Sequence, residues 1–165
     1  MDRFKYLVDT EEGMRSFRSK YNIPPHVGVR YAAQGDWFDE RKTNEVVIPM
    51  IAFIEGGMII LMGTITRTFL RFFRLSPTQC VPNMFRVLGS IEALNERMNL
   101  NLNLTHHDVN WIYNLQNLKG QGYYLKSRHS EVRLIQCLPV SNKGLKEDSL
   151  PCLVKESTPG GRLTI

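Results

Sequence analysis

Catalytic signatures are missing from this chain: it has no Gly-x-Ser-x-Gly elbow and no phosphate loop ending in Gly-Lys-Ser/Thr. Cysteine is scarce as well. Cys80, Cys137 and Cys152 are an odd three, widely separated and without a C-x-x-C pair, so neither a disulfide framework nor a zinc site is indicated and reduced thiols are expected. Long apolar runs are also lacking. The nearest, Val46 to Gly63, is interrupted by Glu55 and Gly56-Gly57, and its pieces Val46 to Ile54 and Met58 to Met62 fall well short of the ~20 residues of a spanning helix. A carboxylate at a bilayer centre would cost roughly 2.5 to 3.5 kcal/mol, so a buried helix, a glycine turn and a short extended piece are expected instead, with no membrane contact. Acids are absent from two further stretches. None occurs between Glu55 and Glu92, where Arg67, Arg71, Arg74 and Arg86 lie, or between Asp108 and Glu131, where Lys119, Lys126 and Arg128 lie.

Against these absences, 165 residues with 42% hydrophobic and 10% aromatic side chains are enough for one folded domain with a real core. The net charge of +5 is modest but unevenly placed. The N-terminus carries Asp2, Asp9, Glu11 and Glu12 and no apolar stretch of secretory length, so no signal peptide is expected. The sequon at Asn103-Leu104-Thr105 is then without consequence.

Local patterns divide the chain. Thr10 is placed to cap a helix whose first turn holds Glu11 and Glu12, and Ile23-Pro24-Pro25 stops it. His26 to Tyr31 alternates as a short strand, and Ala32 to Asn44 reads as a polar loop. Helices are expected at Pro49 to Glu55, Thr64 to Arg74, Pro82 to Met98 and Thr105 to Gln116, the last opened by the capping signal Thr105-His106-His107-Asp108. Asn99 to Leu104 repeats a dipeptide three times and reads as a loop. Tyr123 to Ser127 and Val132 to Leu138 are expected to pair as a hairpin around Arg128 to Glu131. The core is expected to centre on Phe69, Phe73, Phe85, Leu88 and Trp111.

The stretch Leu75, Ser76-Pro77-Thr78-Gln79, Pro82-Asn83-Met84-Phe85-Arg86 resembles the plant gypsy-type transposon domain family, in which a helix ending in leucine precedes a Ser/Ala-Pro-x-Gln turn and a Pro-Asn-x-aromatic-Arg helix. Lys119-Gly120-Gln121-Gly122-Tyr123-Tyr124 and Leu138-Pro139-x-Ser141-Asn142-Lys143-Gly144 extend the resemblance, which runs from about Tyr21 to Lys146. After Gly144 the chain departs from it, with Leu145 and Lys146-Glu147-Asp148 where the family has an aromatic and a further apolar strand, so the domain is expected to be truncated or degenerate at this end. The resemblance implies a retrotransposon-derived, gag-like, non-enzymatic protein of the nucleus or cytoplasm. The enzymes of such elements would need an Asp-Ser/Thr-Gly turn or an aromatic-x-Asp-Asp turn, and a nucleocapsid knuckle a close Cys-Cys-His-Cys set; the sequence has none of them.

Candidate sites are few. Arg67, Arg71 and Arg74 stand at i, i+4 and i+7, on one helix face, and Arg86 on the next helix could join them at phosphate oxygens. The same spacing also fits a solvated face or contact with an acidic protein. Gly120-Gln121-Gly122 begins like a dinucleotide fingerprint, but Leu125 replaces the third glycine and a strand follows, so no cofactor is expected. His106 and His107 point about 100° apart on a helix and suit one metal poorly. Asp36, Asp39 and Glu40 form an acidic loop with no histidine nearby.

The expected whole is a single α+β domain, mainly helical with a few short strands. It comprises an N-terminal helix over 1–22, the transposon-like domain over 23–146 and a disordered tail over 147–165. The expected activity is structural or interactive, with nucleic acid, other retroelement proteins or a second copy as partners and no small-molecule substrate. Nucleic acid held weakly at Arg67, Arg71, Arg74 and Arg86 is the alternative.

Overall fold

The computed structural model describes residues 4–31, 45–60, 62–97, 102–129, 131, 135 and 151–156. The fold is α+β and mainly helical. After a 3-10 turn at Lys5–Leu7 come α1 (Glu11–Lys20), β1 (Val27–Tyr31), β2 (Glu45–Pro49) and α2 (Met50–Ile54). Then follow α3 (Thr64–Phe73), a 3-10 turn at Pro77–Gln79, α4 (Pro82–Arg97), α5 (His106–Ile112), β3 (Tyr113–Asn117), β4 (Tyr123–Ser127) and β5 (Pro151–Glu156).

The local signals act as their chemistry requires. Thr10 Oγ1 accepts from Gly13 N at 3.0 Å, which satisfies an orphan amide of α1, and Arg18 donates to the Pro24 carbonyl at 2.7 Å, which ties the helix end to the chain beyond. Ser76 N donates to Gln79 Oε1 at 2.9 Å in the Ser-Pro turn. Thr105 N and Oγ1 both donate to Asp108 Oδ2, at 2.8 and 2.7 Å, in the capping box of α5. The Val46 to Gly63 run breaks at its glycines, where Gly57 takes φ +63° after the five-residue α2 with Met50, Ile51, Ala52 and Phe53 buried, but its first residues form β2, a strand ahead of the expected helix. No helix of the described residues is long and apolar enough to cross a membrane. In the piece that follows, Met58 and Ile60 are buried.

The core runs through most of the described chain. Phe69 and Leu70 of α3, Met84, Leu88 and Ile91 of α4 and Val109 of α5 are all at or below 1% exposure, and each large side chain so buried contributes about 1.5 to 3 kcal/mol. Phe17, Tyr21 and Phe53 close one end, with ring centroids 4.7 to 5.7 Å apart. Phe85 and Leu88 take their expected core places, and Phe73 packs against the core from its edge.

Three expectations are corrected. The helix expected to reach Gln116 ends at Ile112, because Tyr113-Asn114-Leu115-Gln116-Asn117 alternates and pairs antiparallel with β4, Leu115 opposite Leu125. Trp111 lies outside the core at 82% exposure. It follows buried Val109 by two residues, about 200° round the helix, and so faces away from the packing side. The tail expected to be disordered over 147–165 supplies β5, whose two neighbours are β1 and β2, both antiparallel, with Val154 opposite Val29 and Val46. The Ala32 to Asn44 loop and most of the Val132 to Leu138 strand lie outside the described residues, so the described partner of β4 is β3.

Candidate nucleic-acid interface

Helix α3 begins at Gly63, which has no side chain with which to cap it. Glu92 of α4 does this instead: its Oε1 accepts from Thr66 N at 2.8 Å. A carboxylate at a helix N-terminus also meets the positive end of the helix dipole. Along α3, Ile65, Thr66, Phe69 and Leu70 are buried, while Arg67 and Arg71 face solvent. Among the described residues no carboxylate pairs with Arg67, Arg71 or Arg74.

Arg74, also exposed, ends the helix in the left-handed region at φ +53° and ψ +43°. Its amide donates to the Arg71 carbonyl at 3.2 Å and the next, Leu75 N, to the Leu70 carbonyl at 2.9 Å. This closure favours glycine, which carries no Cβ penalty there. An arginine therefore holds a position that the backbone alone would give to another residue.

Arg86, the fourth candidate, stands on the next helix. It is half-buried on α4, donates to Asn83 Oδ1 at 2.9 Å and lines a separate groove of about 660 Å³ between the Gly56–Gly63 segment and the Gly89 and Ala93 face of α4. None of the three stripe arginines lines that groove.

A second surface was not legible as a site. Phe72, 53% exposed, turns its ring toward α5, where His106 and His107 lie at centroid distances of 5.4 and 5.7 Å. The histidine rings, expected to diverge, lie 4.0 Å apart, and both lie against the same phenylalanine. One turn further, His107, Asn110, Trp111, Arg128 and His129 line an open hollow of about 550 Å³. Arg128 is fixed in it, with its amide donating to the Ile112 carbonyl at 2.9 Å and its Nε to the Asn110 carbonyl at 3.0 Å.

Burial and the neighbouring charge of His107 lower the His106 pKa, against the opposing pull of Asp108. The Thr105 hydroxyl and amide hold the Asp108 carboxyl below its usual range. Elsewhere, burial pushes the Cys80 thiol up to about 12, which leaves it a protonated core group rather than a nucleophile. Among the described residues, no three His, Cys, Asp or Glu side chains are grouped to hold a metal ion. Asp36, Asp39 and Glu40 lie outside the described residues. In comparison with known proteins, no family model, no curated protein and no solved structure matches the chain.

Proposed function

We propose that this chain is a retroelement-derived, non-enzymatic interaction protein that works inside the cell and holds nucleic acid weakly through Arg67, Arg71 and Arg74. The exposed arginines carry the reading: Arg67 and Arg71 on α3, opposite buried Phe69 and Leu70, and Arg74 at its C-cap, in a stretch of sequence without acids. Guanidinium forks suit phosphate oxygens. The motif order from Leu75 to Arg86 supports the retroelement ancestry, and the fixed Arg74 cap supports a use for its charge. Phosphate contact of this kind is sequence-independent and salt-sensitive.

The test is a filter-binding titration of duplex DNA at several salt concentrations. Changing Arg67, Arg71 and Arg74 together to Gln is expected to flatten the log–log salt slope by about two to three units. An unchanged slope removes the reading and leaves the stripe as a solvated face or a contact for an acidic protein.

A further inference from the structure

The geometry points to a base-stacking platform beside the arginine stripe: the hollow at Trp111 takes the unpaired bases of single-stranded nucleic acid. This rests on the proposed phosphate contacts of α3 and adds to them the part of the ligand that phosphates do not describe. An indole 82% exposed is a large flat apolar surface left in water, and such surfaces mark contact sites when they are grouped. Here the grouping is specific. Phe72 meets His106 and His107 where α3 packs on α5, His107 also lines the hollow with Trp111, and Phe72 directly follows Arg71.

The chemistry around the indole selects the occupant. His107, Asn110, Arg128 and His129 share the hollow, and none of the four is aliphatic. A pocket for an apolar protein anchor would be walled by aliphatic side chains, whereas planar and cationic groups suit a base and its phosphate. Arg128 is held in place by the Asn110 and Ile112 carbonyls, so its guanidinium is oriented before anything binds. The stretch from Asp108 to Glu131 brings no acid between its ends. Asp108 itself is exposed at the stretch's edge, with its carboxylate accepting two hydrogen bonds from Thr105. Duplex bases stack on one another and offer no free face to an indole, so the platform selects single strands.

Three probes separate this inference from the phosphate reading beneath it: a 20-nucleotide oligothymidylate, an abasic strand of the same length and charge, and a duplex. Emission of Trp111 is followed in the full chain carrying Trp37→Phe, which leaves one indole. The expected result is quenching by oligothymidylate but not by the abasic strand. Trp111→Ala should weaken oligothymidylate binding about 5- to 150-fold with the salt slope unchanged, while abasic and duplex binding stay as they were. Equal binding of oligothymidylate and abasic strand, or full affinity after Trp111→Ala, overturns the platform and leaves the phosphate contacts standing. If none of the three probes binds, the phosphate reading fails and the platform fails with it. An unaltered melting midpoint for Trp111→Ala confirms that the loss is of contact and not of folding.

Discussion

Glu92 reaches across from α4 to accept the amide of Thr66 at 2.8 Å, and its carboxylate occupies the space that a side chain on Gly63 would need. The two residues share one job. Glycine keeps the N-cap clear, and the glutamate supplies the missing cap. Gly63→Ala is therefore expected to displace Glu92 and cost about 0.5 to 2 kcal/mol, the usual worth of an N-cap. Glu92→Ala should cost a similar amount. The double substitution should cost little more than either alone, because the second change removes nothing that remains. Chemical denaturation of the four proteins checks this; simple additivity would show that the two residues act separately.

Arg74 offers a trade between stability and binding. Its φ of +53° suits glycine, and a left-handed residue with a Cβ costs about 1 to 2 kcal/mol. Arg74→Gly is expected to raise stability by about 1 kcal/mol and to reduce the salt slope for duplex DNA by about one unit. Thermal melting and filter binding on the same preparation give both numbers. A variant that is more stable and binds unchanged would take Arg74 out of the interface.

Two aromatic residues are expected to behave in opposite ways. Phe85 is 3% exposed and sits among the core residues of α4, so Phe85→Ala should cost about 3 to 5 kcal/mol, a large share of a typical domain's 5 to 15 kcal/mol. Trp111→Ala should stay within about 0.5 kcal/mol of the parent. Equilibrium unfolding in urea measures both. A large loss at Trp111 would mean that its ring covers the core in solution.

Acid should weaken the fold in two steps. His106 has a lowered pKa in the folded chain, so the unfolded chain binds its proton more tightly. The stability linked to it is present above the ordinary histidine value of about 6.5 and lost as pH falls through the lower folded value. Asp108 is also lowered; its contribution is present above the usual carboxylate range and lost as pH falls through its folded value. Both groups are solvent-facing, so each step should be small. Denaturant midpoints from pH 8 to 3 measure the steps. His106→Gln should abolish the first and Thr105→Ala should blunt the second.

Much of this molecule could be read along the chain. The Thr10 and Thr105 caps, the Ser76 turn, the glycine break in the apolar run and the helical spacing of Arg67 and Arg71 are all relations within a few residues, where backbone geometry alone decides which groups meet. Other features depend on partners far away in sequence. Residues Tyr113 to Asn117 leave the helix because β4 is there to pair with them, and Trp111 is exposed because α5 packs through Val109. The cap of α3 spans 26 residues. β5 becomes a central strand only because β1 and β2, more than 100 residues earlier, present edges to it on both sides. Arg86 shows the same limit in the candidate site. Its place in the sequence suggested a fourth phosphate contact, and only the packing of α4 shows that it lines the groove beside Gly89. Local periodicity can assign a residue to a face of its own helix, but which face meets solvent is settled by the neighbours that burial brings against it.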